Sequence, residues 1–85
     1  MSTPPREIAE IRNWHAHVYF DPATRAIAAE LREQVAARFP EARLGRWHEG
    51  KVGPHPQAMY QIAFENADYP ALSAFLALNR QGLTI

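Results

Sequence analysis

Apolar and polar residues alternate most clearly between Asn13 and Phe20, a stretch rich in aromatic and β-branched residues. This composition predicts a β-strand that ends at Asp21-Pro22. Successive side chains of a strand point to opposite faces, so this strand has one apolar face, which is expected to pack on a core. That face consists of Trp14, Ala16, Val18 and Phe20. The opposite face presents His15, His17 and Tyr19.

A four-residue spacing of apolar residues follows the strand and predicts an amphipathic helix of about four turns. Asp21 suits the cap of this helix, Pro22 suits its first position, and Pro40 ends it. The apolar positions are Ile27, Leu31, Val35 and Phe39. Charged side chains occupy much of the remaining surface, so one side of the helix is expected to face the core.

The rest of the chain predicts two further strands, a second helix and the start of a fourth strand. The second strand spans 41–48, a loop rich in Gly and Pro spans 49–57, and the third strand runs over Met59–Glu65. Pro70 opens the second helix, Gly82 ends it, and residues 83–85 begin the last strand. Gly45 is a candidate β-bulge, which leaves the faces of the second strand open.

The resulting order, β-α-β-β-α-β, predicts a ferredoxin-like α+β domain over 12–85, preceded by an N-terminal arm over 1–11. Two helices would cover one face of an antiparallel sheet and leave the other face open for water, a ligand or a second subunit. The candidates for the open face are His15, His17, Arg46 or Trp47, His48 and Gln61. An open face that bears aromatic residues also favours a homodimer.

Composition narrows the function classes. The 85 residues include 9 basic and 9 acidic side chains, so nothing points to nucleic acid or an anionic membrane as a partner. The absence of cysteine excludes a disulfide framework, a thiolate metal site and a cysteine nucleophile. The first ten residues contain no signal peptide, and no apolar run is long enough to span a membrane, so we expect a cytoplasmic protein.

The four histidines are the residues most able to carry chemistry. His15 and His17 share a strand face, His48 ends another strand, and His55 lies in the loop rich in Gly and Pro. With this sheet order the imidazoles could gather at one end of the open face. Two His and one carboxylate form the usual site of non-haem Fe(II) oxygenases, and Glu49 is the nearest carboxylate in sequence. A Zn²⁺ site or a purely structural role for these histidines is also compatible with the pattern.

Several motifs resemble the DOPA 4,5-dioxygenase-like family of aromatic ring-cleaving dioxygenases. They are Asn-Trp-His-Ala-His-Val-Tyr-Phe-Asp at 13–21, Gly-Arg-Trp-His-Glu at 45–49, Val-Gly-Pro-His-Pro at 52–56 and Met-Tyr-Gln at 59–61. The resemblance continues through 76–80 and 82–84 and covers nearly the whole chain beyond Arg12. Family members continue past the position of Ile85 with the rest of the fourth strand and a further segment. We therefore expect this chain to be either a C-terminally short form or part of a longer protein.

The resemblance implies a ferredoxin-like fold, often self-associating, and extradiol cleavage of a catechol such as DOPA by Fe(II) and O₂, with Zn²⁺ as a possible surrogate. His15, His17, His48 and His55, with Glu49, would then be the catalytic and metal-binding residues. Arg46 could pair with a substrate carboxylate, while Trp47 and Tyr60 could flank an aromatic ring or could instead be core residues. Two alternatives are a non-enzymatic small-molecule binding module and an inactive, truncated member of the same fold.

Overall fold

A computed structural model describes residues 3–50 and 57–85. Its sheet has β3 (Met59–Glu65) at the centre, with β1 (Asn13–Tyr19) on one side and β2 (Arg43–Leu44) on the other, both antiparallel to β3. Two helices, α1 (Arg25–Arg38) and α2 (Tyr69–Asn79), pack on one face of the sheet. Two short 3₁₀ turns, Ile8–Glu10 and Asn66–Asp68, precede β1 and α2.

The core lies between the sheet and the helices, as the alternation along β1 and β3 predicts. Val18 and Phe20 are buried, and Trp14 and Ala16 pack against the same cluster. From β3 and the helices the core receives Tyr60, Ile62, Phe64, Ala28, Leu31, Val35, Leu72 and Leu76. The face of β1 that carries the histidines therefore lies on the side of the sheet away from the helices.

The helices begin and end close to the predicted positions, with one difference at the start of α1. The Asp21 carboxylate accepts a hydrogen bond from Thr24 N at 2.9 Å, and Thr24 Oγ1 accepts one from Asp21 N at 2.9 Å. This pair closes a turn, so the helix begins at Arg25 and not directly after Asp21. After α2, Gln81 and Gly82 adopt positive φ values of 52° and 86°, which turn the chain back toward the sheet.

β2 is much shorter than the predicted strand over 41–48, because a bulge interrupts its pairing with β3. Arg43 pairs with Ala63 and Leu44 with Ile62, Gly45 N donates to Gln61 O at 2.7 Å, and pairing resumes between His48 and Met59. Between those points two residues of this strand, Arg46 and Trp47, lie opposite the single residue Tyr60. The expected bulge is therefore present, but it lies directly after Gly45, at Arg46 and Trp47, and it shifts the alternation by one residue.

The end of the chain returns to the outer edge of β1. Tyr19 N donates to Thr84 O at 2.9 Å in an isolated antiparallel bridge, and Leu83 is buried in the core. This bridge places the start of a fourth strand beside β1, so the ferredoxin-like α+β arrangement is confirmed. Within the described ranges, no helix has both the length and the apolar character needed to cross a membrane.

Candidate active site

Two imidazoles lie side by side on the open face of the sheet. The ring centroids of His15 and His17 are 6.3 Å apart with an interplanar angle of 74°, an edge-to-face arrangement. His15 is exposed and His17 is half-buried. The Tyr19 ring follows on the same face, with its centroid 6.5 Å from that of His17. Because β1 carries core residues at every alternate position, its pairing with β3 fixes all three rings on this face.

Gln61 is the nearest polar neighbour of His17 on β3. The two residues are directly opposite in the antiparallel register, and His17 Nε2 lies 3.1 Å from Gln61 Oε1. Such a hydrogen bond selects one tautomer and one orientation of the imidazole, as partners of metal-binding or catalytic histidines commonly do. Ala63 and Met59, on either side of Gln61 along this face, are buried and give the site an apolar floor.

The sheet register also places His48 on the open face. Residues directly opposite each other in neighbouring strands share a face, and Met59 is opposite both Tyr19 and His48. His48 is thus two strands away from Tyr19, which corresponds to roughly 10 Å at the backbone from the usual strand spacing. It lies diagonally across the sheet from His17.

Gly45 lies near the line from His17 to His48 across the sheet, and it allows β2 to approach β3 closely. A Cβ atom at Gly45 would lie 3.2 Å from Gln61 O and 3.3 Å from Gln61 Cβ, which is tighter than ordinary packing. The position therefore favours glycine, and the absence of a side chain leaves space on the open face between Gln61 and His48.

Glu49, Trp47 and Tyr60 lie on the helix side of the sheet. Glu49 Oε1 accepts hydrogen bonds from Trp47 Nε1 at 2.7 Å and from the guanidinium of Arg25 on α1, whose Nε is 2.9 Å away. These hydrogen bonds, that of Arg25 first, hold the pKa of Glu49 below its ordinary value. The Glu49 carboxylate is therefore engaged with α1 and not with the histidines of the open face.

Tyr60 requires a correction, because its side chain has no exposed surface and its hydroxyl donates to Ala28 O at 2.9 Å. It is a core residue, as the alternative interpretation held, and has no surface to offer a substrate. Trp47 is half-buried and stacks on Phe20 and Tyr60, with ring centroids 4.3 and 5.5 Å away. Its ring too belongs to the helix layer.

Two further predicted site residues have different outcomes. Arg46 is exposed at the bulge and forms no ion pair among the described residues, so its guanidinium is accessible to an anion. His55 lies outside the described residues. Residues 3–50 and 57–85 contain no group of three His, Cys, Asp or Glu side chains close enough to hold a metal ion. Imidazole is a donor that both Fe(II) and Zn²⁺ accept, and His15, His17 and His48 share one face of the sheet.

A cleft of about 410 Å³ lies beside the two histidines of β1 and is large enough for a small aromatic molecule. His15, His17 and Tyr19 line one wall, while Tyr69 and Arg80 contribute from α2 and its end. The alternation of side chains along β1 predicted that His15, His17 and Tyr19 share one face, which forms this wall of the cleft. The contribution of α2 could not be predicted, because nothing in the local pattern shows which end of a helix lies beside which strand.

Comparisons with known proteins agree with this architecture. The model of the Dopa 4,5-dioxygenase family matches residues 14–85. A solved crystal structure of a "putative dioxygenase" from Nostoc punctiforme superposes with a TM-score of 0.90 at 48% identity, covering 93% of this chain and 68% of that one. The DOPA 4,5-dioxygenase of Amanita muscaria is 32% identical over 85 residues, which cover 91% of this chain and 37% of that protein.

A third relative, an uncharacterised 21.2 kDa protein of Botryotinia fuckeliana, is 38% identical over 58 residues, which cover 67% of this chain and 32% of the relative. The chain thus spans about a third of the length of the curated relatives that it matches. The family model covers β1 from Trp14 onward, β2, β3, both helices and the histidines of β1. On this evidence the chain belongs to the Dopa 4,5-dioxygenase family.

Proposed function

We propose that this chain supplies the open-face histidines of a non-haem Fe(II) extradiol dioxygenase that cleaves the ring of a catechol with O₂. The observation that carries the proposal is the pair His15 and His17, held on one face of β1 with ring centroids 6.3 Å apart. Membership of the Dopa 4,5-dioxygenase family supports the reaction class, and the relative from Amanita muscaria bears the name of the enzyme.

His15, His17 and His48 are the described residues that would hold the metal, with His55 as a further candidate. Bound Fe(II) would supply a Lewis acid with open positions for both substrates. The contribution of the protein is to present neutral imidazoles in fixed orientations. Gln61 supports this role at His17, because its side-chain oxygen lies within hydrogen-bond distance of Nε2 and restrains rotation of the ring.

Substrate binding in this proposal uses the cleft beside β1. The Tyr19 ring and the apolar part of the cleft would contact the face of the aromatic ring. Arg46 lies on the other side of β3 from this cleft. Its exposed guanidinium, which can donate two parallel hydrogen bonds, would bind the carboxylate of a substrate that reaches across β3. A neutral histidine that is not bound to the metal could transfer a proton between substrate and oxygen.

Anaerobic titration with Fe(II), or with Zn²⁺ as a surrogate, tests the metal-binding part of the proposal. We expect His17→Ala to weaken binding on the order of 10- to 100-fold, because even the loss of a residue that only orients a ligand has effects of this size. Asn13→Ala is the matched control, since Asn13 lies on the same face of β1 without an imidazole. Full metal affinity in His17→Ala would make the pair structural.

A ring-cleavage assay with a catechol and O₂ tests the reaction. The assay is run on the chain alone and on a form extended at its C-terminus with the sequence of a longer relative, because the chain spans about a third of the length of its curated relatives. We expect a ring-cleaved product that is lost in His17→Ala. If the extended form binds neither Fe(II) nor Zn²⁺, the dioxygenase proposal fails. A protein that binds catechol without metal or turnover would instead be a small-molecule binding module.

A further inference from the structure

The residues on either side of His48 are both attached to the helix layer. The Trp47 ring stacks on Phe20 and Tyr60, and the guanidinium carbon of Arg25 lies 5.2 Å from its ring centroid. On the other side, Glu49 is held by the guanidinium of Arg25. A single α1 residue therefore contacts both sequence neighbours of His48.

One carboxylate oxygen joins these contacts into a single network. Glu49 Oε1 accepts from Arg25 Nε at 2.9 Å, from Arg25 Nη2 and from Trp47 Nε1 at 2.7 Å. Charge-assisted hydrogen bonds of this kind fix orientation more strongly than neutral ones do. The network thus attaches the segment around His48 to the first turn of α1, across 24 residues of sequence.

The backbone of His48 is fixed from the opposite direction by β3. His48 N donates to Met59 O at 3.0 Å, and Met59 N donates to His48 O at 3.0 Å. This isolated bridge follows directly after the bulge at Arg46 and Trp47, where the alternation of side chains is interrupted. Continuous pairing therefore does not determine the face on which His48 lies, and a slip of one residue would turn its imidazole toward the helices.

We propose that Arg25 is a positioning residue for His48: by holding Trp47 and Glu49 on the helix side, it sets the register of the bridge and directs the imidazole to the open face. The inference rests on the proposed function only because that proposal gives His48 a metal-binding role on the open face. Arg25 contacts Glu49 and Trp47 on the helix side of the sheet, whereas His15 and His17 lie on the opposite face. Its side chain and that of Glu49 are 54% and 56% exposed, so the ion pair contributes little to global stability.

The test compares Arg25→Ala and Arg25→Lys with Arg43→Ala, all in metal-free protein. Arg43 is the matched control, because it forms another exposed Arg–Glu pair, with Glu65 at 3.2 Å, on the same edge of the sheet. The readout is the amide hydrogen-exchange rate of His48 and Met59, measured by NMR. We expect about tenfold faster exchange in Arg25→Ala from the combined loss of ion pair and cation–π contact. Arg25→Lys, which keeps the charge without the planar fork, should fall between, and Arg43→Ala should match the wild type.

A second variant distinguishes a local effect at His48 and Met59 from a general change in the fold. Glu49→Gln keeps the side-chain shape and should raise the same two exchange rates, while amides in the middle of β1 remain unchanged. Unchanged exchange at His48 and Met59 in Arg25→Ala overturns the positioning role. So does equal acceleration in Arg43→Ala. Zn²⁺ affinity measured on the same proteins separates the two proposals: a wild type that binds no Zn²⁺ counts against the metal site, whereas the exchange rates alone decide the role of Arg25.

Discussion

Replacement of Tyr60 by phenylalanine separates a core role for this side chain from a substrate-binding role. The substitution removes one hydroxyl, which is buried and donates to Ala28 O at 2.9 Å. The Ala28 carbonyl keeps its bond within α1, so the loss is close to that of one hydrogen bond, about 1 kcal/mol of the free energy of unfolding. For a domain of this size that corresponds to a fall in Tm of about 4–8 °C.

The pH dependence makes the prediction sharper. Burial raises the pKa of Tyr60 above its ordinary value of 10.0. The folded protein therefore retains the proton while the unfolded chain loses it, so this contribution to stability is present below about pH 10 and is lost as the pH rises further. The loss is about 1.4 kcal/mol per pH unit. Near roughly pH 11 this loss equals the difference in free energy of unfolding between the wild type and Tyr60→Phe, so the two proteins become equally stable.

Urea unfolding followed by circular dichroism between pH 7 and pH 11 measures both effects. Tyr69→Phe is the control, because it removes the hydroxyl of a tyrosine that is 40% exposed. Metal affinity should be the same in Tyr60→Phe and in the wild type. A stability difference that stays constant up to pH 11 would refute the burial argument, and a large change in metal or catechol binding would return Tyr60 to the site.

Four other outcomes are expected. Amides of Thr84 and Ile85 should exchange fast in a monomer, because an isolated bridge joins this segment to β1 and that bridge uses the Thr84 carbonyl; slow exchange would mean that a longer strand forms. Asn66→Ala should cost about 1 kcal/mol and speed amide exchange in Ile8–Glu10, because Asn66 bonds both Trp14 Nε1 and Ile11 O; an unchanged arm would argue against this anchor. Gly45→Ala should destabilise by about 1–3 kcal/mol through the close approach to β3, and wild-type stability would show that β2 can shift at no cost. Light scattering should give a dimer mass at high concentration if a second copy covers the open face, and a monomer at all concentrations would reject that arrangement.

Local patterns predicted most of the fold, because strand alternation and helix periodicity are determined by neighbouring residues. The faces of β1 and β3 and the place of the bulge follow directly from such patterns. Beyond the bulge the alternation could not be counted, so the face of Trp47 remained ambiguous. The possible substrate role of Tyr60 came from the family resemblance, and its burial rules that role out. Counting along the chain assigns a face, but it does not show that a helix closes over that face.

The features of the site that were not predicted depend on contacts between residues that are far apart in the sequence. Glu49 was a candidate ligand because it is next to His48 in sequence, yet its nearest cation, Arg25, lies 24 residues away on another layer. Nothing in the spacing of these two residues predicts that they meet. The hydrogen bond between His17 and Gln61 spans 44 residues and depends on the register of β1 with β3. Gln61 was expected on the open face, but its specific partner required the sheet.

The bridge between Tyr19 and Thr84 determines which positions of a neighbouring strand lie beside the histidines. In an antiparallel ladder every second residue of one strand is opposite every second residue of the other. Any polypeptide that extends this pairing along β1 would therefore place its alternate side chains directly beside His17 and then His15. The segment that occupies this edge would therefore supply side chains to the surface around the two histidines.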